Sequence, residues 1–312
     1  MDQDMFDMIV VGGGPAGYTA ALYGARAGLS VLLLEKLSPG GQLATTDVIE
    51  NYPGFSEGIN GFELAMKMKQ GAEKFGAKSK MAEVISCSLA GERKEVQTKK
   101  ETFFAKTVVL ATGAVPRELG LPGEKELRGK GVSYCATCDG MFYKGKTVAV
   151  VGGGNTAAAD ALYLSRLCEK VYLIHRRDTL RASKSYHGPL EQAGNIEFVW
   201  NSQVTALHHE NALTGLTVTE KDAGKNREIP CDGLFIAVGH VPETTLFQGQ
   251  IALDEAGYIP ADETTRTELP GVFAVGDLRK KPLRQVVTAA SDGAVAAYFA
   301  EEYLSQHRTR TA

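Results

Sequence analysis

The chain has 312 residues, of which 44% are hydrophobic and 23% charged, and its formal net charge is −3. This length suits two domains of about 100–200 residues each. The slightly acidic balance argues against a general nucleic-acid surface, and no apolar run approaches the roughly 20 residues of a membrane-spanning helix. The acidic start, MDQD, lacks the basic region of a signal peptide. We therefore expect a cytoplasmic protein with no nucleic-acid or membrane partner.

The five cysteines do not resemble a disulfide framework, because their number is odd. In a reducing compartment, paired cysteines are more often catalytic or metal-binding than structural. Cys87, Cys168 and Cys231 stand alone and are predicted to pack as small apolar side chains. Cys135 and Cys138 form a Cys-x-x-Cys pair within SYCATCDG, and their purpose depends on the rest of the chain.

Two segments of the chain, residues 10–36 and 150–176, align with each other without a gap. Each contains an apolar run, a glycine-rich turn, an alanine-rich helical stretch and a second apolar run. This order predicts a strand–turn–helix–strand unit, the opening of a Rossmann-type fold. The fold class is therefore α/β, with two Rossmann-like, three-layer domains in one chain.

The glycines of the first copy, Gly12, Gly14 and Gly17, form a G-x-G-x-x-G motif after the apolar run MIVV. The first glycine allows a tight turn, the second lets the backbone approach a pyrophosphate, and the third allows close packing of helix on strand. The helix N-terminus supplies free N–H groups and a partial positive charge. In the second copy Ala157 takes the third position, which the motif tolerates. Both copies are predicted to bind nucleotides.

The two copies differ at the end of their second strands. Glu35 lies 18 residues after Gly17, where a carboxylate hydrogen-bonds an unmodified ribose, so the first copy fits FAD or NAD. The second copy has the basic stretch HRRDTLR, whose guanidinium groups would bind the 2′-phosphate of NADPH. The alternative for this stretch is a solvated basic helix start. Its members are His175, Arg176, Arg177 and Arg181.

Later apolar runs end in similar turns, which predicts a nested arrangement of the two domains. ATG at residues 111–113 and AVG at residues 237–239 mark matching crossover points, and Gly276-Asp277 follows another run. We expect an FAD-binding domain of residues 1–115 and 246–312, with an NADPH-binding domain of residues 116–245 inserted. The connections would lie near Val115-Pro116 and Val241-Pro242.

The Cys-x-x-Cys pair lies in the predicted NADPH domain, where it could be part of a zinc site, a structural disulfide or a redox centre. A zinc site usually needs four protein ligands, and the chain has no second Cys-x-x-Cys. A static disulfide across so small a loop would constrain the unfolded chain little. The third is redox chemistry: a flavin accepts a hydride from NADPH and passes two electrons to a disulfide, whose thiols reduce a partner. We favour a redox centre.

The sequence resembles the low-molecular-weight thioredoxin reductases, class II pyridine nucleotide-disulfide oxidoreductases, along nearly its whole length. The resemblance rests on the stretches GGGPAG, GGQLATT, ENYPGF, ATGAVPR, CATCDG, GGGNTA, HRRDTLRA, GHVPET, GVFAVGD and RQVVTAA. It implies an NADPH-dependent thioredoxin-disulfide reductase: a homodimer with tightly held FAD, no metal, and thioredoxin as the protein partner. The NADPH domain would rotate to present the disulfide and the nicotinamide to the flavin in turn.

The resemblance also implies roles for individual residues. Cys138 would lie nearer the flavin, Cys135 would attack the thioredoxin disulfide, and Asp139 would be their acid–base group. Contacts to NADPH would come from Gly152, Gly154, Asn155, Thr156, His175, Arg176, Arg177 and Arg181. Contacts to FAD would come from Gly12, Gly14, Pro15, Ala16, Gly17, Glu35, Lys36, Gly41, Gln42, Leu43, Asn51, Thr112, Gly113, Gly276, Asp277, Arg284, Gln285 and Val286.

Three rival functions are compatible with parts of the pattern. A flavin dithiol oxidase would keep the cysteine pair but pass electrons to oxygen, and it has little use for the basic stretch. A ferredoxin-linked reductase should likewise have lost the 2′-phosphate site. A non-enzymatic nucleotide-binding or zinc module would show no flavin absorbance and no NADPH turnover.

Overall fold

A computed structural model describes residues 5–46, 48–221 and 224–308 of the chain. Within these ranges the strands, in chain order, are β1 Met5–Val11, β2 Val31–Glu35, β3 Val48–Ile49, β4 Ile59–Asn60, β5 Lys78–Met81, β6 Val84–Ser88, β7 Lys94–Thr98, β8 Thr102–Leu110, β9 Ala114–Pro116, β10 Val132–Ser133, β11 Thr147–Val151, β12 Lys170–Ile174, β13 Ile196–Val199, β14 Ser202–His209, β15 Leu213–Glu220, β16 Asn226–Pro230, β17 Gly233–Ile236, β18 His240–Pro242 and β19 Val272–Ala274.

The α-helices of the same ranges are α1 Pro15–Arg26, α2 Gly61–Lys74, α3 Ala136–Asp139, α4 Asn155–Ser165, α5 His187–Gln192 and α6 Val286–Arg308. Short 3-10 helices span Gly41–Thr45, Gly140–Tyr143, Lys184–Tyr186, Thr245–Phe247 and Gly276–Leu278. None of the helices in the described part of the chain is long and apolar enough to cross a membrane.

The chain divides into two compact units. The first unit consists of Met1–Val115 and Val241–Ala312, and the second of Pro116–His240. The sequence of the first unit is thus interrupted by the second. The predicted α/β class with two Rossmann-like units is confirmed.

The first unit is built on a seven-stranded sheet with the order β5-β2-β1-β8-β7-β6, in which β19 also pairs with β8. The strands β5, β2, β1, β8 and β19 run parallel, whereas β7 is antiparallel to both of its neighbours, β8 and β6. The helices α1 and α6 pack closely on one face through small residues. A Cβ added at Gly293 of α6 would lie only 2.2 Å from the carbonyl oxygen of Ala16 in α1.

The second unit has three layers around a five-stranded parallel sheet with the order β10-β17-β11-β12-β13. On one face the alanines of α4 pack with Val148, Val150 and Leu173. On the other face the antiparallel sheet β14-β15-β16 contributes buried residues such as Leu216 and Ile229. The apolar runs VAVV and GLFI form central strands because both of their faces are covered.

The second connection between the units falls after His240, whereas the sequence suggested a boundary after residue 245. Two hydrogen bonds explain the difference, since both stay within the first unit: the N–H of Glu243 donates to the Gly113 carbonyl over 2.9 Å, and the Thr112 hydroxyl donates to the Glu243 carbonyl over 2.7 Å. Phe247 is also fully buried in the core of the first unit. These contacts are long-range in sequence, so local composition did not reveal them.

Candidate functional site

The glycine turn of the first unit connects β1 to α1. Gly12 has φ +110°, and a Cβ there would lie 2.4 Å from the Ala111 carbonyl oxygen. A Cβ on Gly17 would lie 1.9 Å from the Gly12 carbonyl oxygen, so helix and strand could not approach as they do. Around Gly14, by contrast, the nearest atom to such a Cβ is 3.9 Å away. The turn therefore has no room for a side chain at Gly12 and Gly17, where backbone segments pack together. It has free space at Gly14, next to Pro15 and Ala16 at the start of α1.

Glu35 ends β2 next to this turn. Its Oε2 accepts a hydrogen bond of 2.6 Å from the N–H of Gly13, and its Oε1 accepts one of 3.2 Å from the N–H of Leu37. The next residue, Lys36, is largely exposed, and its Nζ lies 3.0 Å from Glu83 Oε1. The structure thus places Glu35 at the turn, while the Lys36 side chain is engaged in a surface ion pair.

Several predicted FAD residues lie just after β8, just after β19 or just before α6. Two of their buried polar atoms, Asp277 Oδ1 and Arg284 Nε, have no hydrogen-bond partner among the described residues. Burial raises the pKa of Asp277 above its ordinary value, although Lys281 and Arg284 counteract this. The guanidinium of Arg284 lies 4.3 Å from the centre of the Tyr258 ring. Unpaired buried polar atoms are rare in native proteins, so these two indicate a bound polar group.

Other members of the predicted FAD set make contacts within the first unit. The side-chain amide of Asn51 donates to Gln285 Oε1 over 3.0 Å, and the Gln42 amide donates to the Ala114 carbonyl. Gly41 and Leu43 belong to one 3-10 helix, and the Leu43 side chain is buried in an apolar cluster. Val286, at the first position of α6, packs on the same cluster. Leu43 and Val286 therefore offer a ligand mainly their backbone.

A buried ionic cluster supports the Gly276-Asp277 turn. Asp292 of α6 accepts hydrogen bonds from Arg279 Nε at 2.9 Å, Arg279 Nη2 at 2.8 Å, Lys281 Nζ at 2.8 Å and the N–H of Gly276 at 2.9 Å. Burial alone would raise the pKa of Asp292, yet these partners hold it below its ordinary value. The cluster pairs two cations with one carboxylate. It leaves one net positive charge near Asp277.

The glycine turn of the second unit connects β11 to α4 and repeats the same design. A Cβ on Gly152 would lie 2.4 Å from the Ala237 carbonyl oxygen, whereas nothing lies within 4 Å of one on Gly154. The helix α4 then begins with Asn155 and Thr156, and no side chain caps its first turn. Its N-terminus is accordingly open for an anionic ligand.

His175 of the second unit takes the position that Glu35 has in the first. A Cβ on Gly153 would lie 2.1 Å from the His175 ring, so the imidazole fills the space beside the turn. Burial, followed by the positive charges of Arg181, Arg176 and Arg177, lowers the pKa of His175. Its buried Nε2 has no hydrogen-bond partner among the described residues. The imidazole is therefore neutral near pH 7.

The three arginines are exposed, and in the described part of the chain none of them forms a salt bridge. Arg181 is tied to the turn by its backbone N–H, which donates to the Gly153 carbonyl over 2.7 Å. The side-chain oxygen of Asn155 accepts hydrogen bonds from the Ser183 N–H at 2.8 Å and the Ser183 hydroxyl at 3.3 Å. The basic loop is thus fixed beside the glycine turn, and its guanidinium groups form no salt bridge with any residue that the structure describes.

Cys135 and Cys138 form a disulfide with a Cα–Cα distance of 5.3 Å. Cys135 precedes the short helix α3, and Cys138 and Asp139 are its last residues. Cys87, Cys168 and Cys231 are free; burial raises the pKa of Cys87 to about 12 and that of Cys168 to about 11. Because such thiols stay protonated near pH 7, they are poor nucleophiles. No group of metal-ligating side chains exists among the described residues.

Asp139 directly follows Cys138 at the end of α3 and is half-buried. Burial raises its pKa, while a hydrogen bond from Ser133 and the charge of Arg128 lower it. The Ser133 hydroxyl donates to Asp139 Oδ2 over 2.7 Å. A carboxyl group with a raised pKa that directly follows Cys138 is suited to proton exchange with the thiols that form when the disulfide is reduced.

Glu124 holds the segment that leads into the disulfide. This buried carboxylate accepts hydrogen bonds from the N–H groups of residues 119–121 at 2.8–3.1 Å and from the Tyr134 hydroxyl at 2.7 Å. Tyr134 directly precedes Cys135, so the buried carboxylate fixes the approach to the redox pair. A disulfide so held, in one of two Rossmann-like units, is typical of oxidoreductases that work with nucleotide cofactors.

The pyridine nucleotide-disulphide oxidoreductase family matches this chain over residues 6–293. The thioredoxin reductase of Streptomyces clavuligerus is 48% identical and covers 97% of this chain and 95% of its own length. The bifunctional thioredoxin reductase/thioredoxin of Mycobacterium leprae is 44% identical over 98% of this chain and 67% of its own. The solved thioredoxin reductase of Streptococcus pyogenes has a TM-score of 0.90 at 41% identity, covering 98% of this chain and 100% of its own. The chain therefore belongs to the pyridine nucleotide-disulphide oxidoreductase family, among its low-molecular-weight thioredoxin reductases.

Both nucleotide sites fit the two cofactors of this family, FAD and NADPH. In the first unit, the open start of α1 and the unpaired Asp277 and Arg284 atoms offer partners for a flavin dinucleotide. In the second unit, the open start of α4 and the three exposed arginines match an adenosine that carries a 2′-phosphate.

Sequence reasoning did not find the residues that support these sites. Ser133 bonds Asp139, Ser183 bonds Asn155, and Glu124 bonds Tyr134, the neighbour of Cys135. Asp292 holds the Gly276-Asp277 turn and is itself paired with Arg279 and Lys281. The proximity of Ser133 to CATCDG was a local signal that could have been used. The other contacts join residues whose proximity only the fold creates.

Proposed function

We propose that this chain is an NADPH-dependent thioredoxin-disulfide reductase in which Cys135–Cys138 is the redox disulfide. The observation that carries the proposal is this disulfide, followed directly by a carboxyl group of raised pKa and located in the same unit as the exposed basic loop. Close relatives named as thioredoxin reductases support the choice of substrate. A relative in which reductase and thioredoxin share one name supports thioredoxin as the partner.

The proposed FAD-binding residues belong to the first unit. Gly12, Gly14 and Gly17 would bring the start of α1 to the pyrophosphate, and Glu35 would face the adenosine ribose. Asp277 and Arg284 would satisfy their unpaired atoms on the bound group. When bound, FAD supplies a carrier that takes two electrons from NADPH and passes them to the disulfide. The remaining FAD contacts are proposed as the sequence predicted them, with Lys36 contributing through its backbone.

The proposed NADPH-binding residues belong to the second unit. Gly152, Gly154, Asn155 and Thr156 would present backbone N–H groups at the start of α4 to the pyrophosphate. Arg176, Arg177 and Arg181 would bind the 2′-phosphate through charge-assisted hydrogen bonds. His175 would contribute a neutral imidazole, because the neighbouring arginines disfavour its protonation.

The thiol chemistry follows from the two cysteines and Asp139. The Cys135 thiolate would attack one sulfur of the thioredoxin disulfide, forming a mixed disulfide and releasing one thioredoxin thiolate. The Cys138 thiolate would then attack the Cys135 sulfur, restoring the Cys135–Cys138 disulfide and releasing the second thiolate. In each of these two steps Asp139 would accept a proton from the attacking enzyme thiol and return it to the leaving thioredoxin thiolate. Two protons and two electrons therefore move to thioredoxin in all.

The division of the residues between two units adds a conformational step. The disulfide and the proposed NADPH residues both belong to Pro116–His240, whereas the proposed FAD residues belong to the other unit. One flavin can serve both only in turn, so we propose that the second unit rotates about the connections at Val115-Pro116 and His240-Val241. A homodimer and a cytoplasmic location are also proposed; the three free thiols suit a reducing compartment.

The test is thioredoxin-dependent oxidation of NADPH by the holoenzyme and matched Cys→Ser variants. Cys135→Ser and Cys138→Ser should lower the rate about 1,000-fold or more, because each removes an obligatory sulfur. Cys87→Ser, which changes a free thiol outside the pair, should stay within about twofold. Undiminished thioredoxin reduction by Cys135→Ser would refute the proposal.

A further inference from the structure

Ser133 makes hydrogen bonds to two proposed members of the redox site at once. Its hydroxyl donates to Asp139 Oδ2 over 2.7 Å and accepts the N–H of Cys135 over 3.1 Å. The Cys135 carbonyl is also 3.4 Å away, but one hydroxyl proton serves the shorter contact with the carboxylate. The side chain is only 3% exposed, so water does not compete for these bonds.

The position of this hydroxyl is set by the sheet of the second unit. Ser133 ends β10, where it lies opposite Phe235 of the buried strand β17. On the other side, Tyr134 is anchored by its hydrogen bond to the buried Glu124. The backbone that carries this hydroxyl is therefore held on both sides. Turning the hydroxyl away from Asp139 would break its bonds to Asp139 Oδ2 and to the Cys135 N–H.

We propose that Ser133 is the positioning residue for proton transfer at the dithiol: it holds Asp139 by Oδ2 and leaves Oδ1 for the thiols. The inference deepens the proposed function and rests on it. The Ser133 contacts also fix the backbone of Cys135, so that the sulfur and the carboxylate keep one mutual geometry while the disulfide opens and closes.

The charges around Asp139 determine what the hydroxyl does to its protonation. Burial raises the pKa of Asp139; the Ser133 hydrogen bond and the Arg128 charge lower it. Tyr143, whose pKa is raised by burial and then by Asp139, is the other titratable group in its field. A donor to a carboxylate stabilises the charged form, which is the form that accepts a proton from a thiol. Loss of Ser133 should therefore raise the pKa of Asp139 further.

The experiment is a single turnover of holoenzyme that has been reduced with dithionite, mixed with oxidised thioredoxin between pH 5 and pH 9. The rate of thioredoxin reduction should fall at low pH, where Asp139 becomes protonated. This fall is called the acid limb of the pH–rate profile, and it is assigned to Asp139 if it is lost in Asp139→Asn. In Ser133→Ala this limb should move to higher pH by about one unit, because loss of a hydrogen bond to a charged carboxylate raises the pKa of that carboxyl group by about one unit. The rate on the plateau above it should change only about threefold.

Two variants separate this role from general damage to the unit. Ser133→Thr keeps a hydroxyl and should keep the wild-type limb. Ser202→Ala removes another buried hydroxyl of the second unit, which donates to the Trp200 carbonyl over 2.7 Å, and should leave the limb in place. If Ser133→Ala does not fold, Ser133→Gly is the second hydroxyl-free variant, and a shifted limb in Ser133→Thr also contradicts the inference.

The outcomes distinguish the inference from the function on which it rests. An unshifted limb in Ser133→Ala, in an enzyme whose wild type reduces thioredoxin through Cys135, overturns the role of Ser133 alone. A wild type that does not reduce thioredoxin overturns the proposed function. A lower plateau with an unshifted limb means that Ser133 is structural, and that result also overturns the inference.

Discussion

Glu35 and His175 occupy the same place in two copies of one unit, yet they make different contacts. Glu35 accepts the N–H of Gly13, which leaves a carboxylate at the turn. His175 packs on Gly153 without that hydrogen bond and lies among three arginines. A carboxylate at this place would repel a 2′-phosphate, whereas a neutral imidazole and guanidinium groups tolerate or bind it. The residue at this one position thus favours a different nucleotide in each of the two units.

The arginines give a prediction at this scale. Arg176→Ala and Arg181→Ala should each lower the preference for NADPH over NADH, measured as the ratio of kcat/KM values, by about tenfold or more, because each removes a charge-assisted hydrogen bond. Each variant should also bind 2′-phospho-AMP more weakly, as measured by titration calorimetry. Arg166→Ala, an exposed arginine just after α4, is the control. An unchanged ratio in both variants would refute the assignment of the basic loop.

Helix α4 contains one carboxyl group, Asp160, in an unusual environment. Burial raises the pKa of Asp160 from 3.8 to about 7. Between these two pH values the folded protein binds a proton that the unfolded chain does not, so this group's contribution to stability is present at low pH and is lost as pH rises toward 7.

Asp160→Asn should therefore stabilise the second unit at pH 8 by about 2 kcal/mol and have little effect near pH 4. Urea denaturation followed by fluorescence measures this directly, because the single tryptophan of the chain, Trp200, lies in the same unit. Glu191→Gln, an exposed carboxylate on α5, is the control. Equal effects of Asp160→Asn at both pH values would contradict the prediction.

Helix α6 carries the acidic member of the buried ionic cluster in the first unit. Asp292→Asn would leave Arg279 and Lys281 buried without their carboxylate, which should cost about 3–5 kcal/mol in free energy of unfolding. Flavin should also be released at lower urea concentration, because Gly276 loses its anchor.

Glu302→Gln on the same helix removes an exposed ion pair with Arg266 and should cost less than about 1 kcal/mol. Far-ultraviolet circular dichroism of the apoprotein separates unfolding from flavin release. Similar costs for the two variants would show that the buried cluster contributes no more than a surface pair.

The elements also show which features a sequence can reveal. The strands and glycine turns around Gly12 and Gly152 were predictable, because each depends on residues adjacent in sequence and on the small size of glycine. The antiparallel strands β6, β7 and β14–β16 were not predicted, since none of them is next to a glycine-rich turn of the repeat. The RKK stretch at residues 279–281 resembles an exposed loop, yet Arg279 and Lys281 are buried because α6 brings Asp292 to them.

At the scale of the whole molecule, the nested order of the two units follows from the repeat, and the structure places the return to the first unit after His240. The link between Ser133 and Asp139 stayed hidden, although the two are six residues apart, because a serine beside a cysteine has no distinctive pattern. Supporting contacts of this kind depend on the fold as a whole. The residues proposed to touch nucleotides or sulfur were named from local motifs and from the family resemblance, and these assignments stay predictions.

The most direct test of the proposed electron path is an anaerobic titration of the purified flavoprotein with NADPH, followed by oxidised thioredoxin. We expect NADPH to bleach the flavin absorbance and thioredoxin to restore it, with Cys135→Ser blocking the restoration. If NADPH leaves the flavin unchanged while reduced ferredoxin or a dithiol bleaches it, the chain is not an NADPH-dependent thioredoxin reductase.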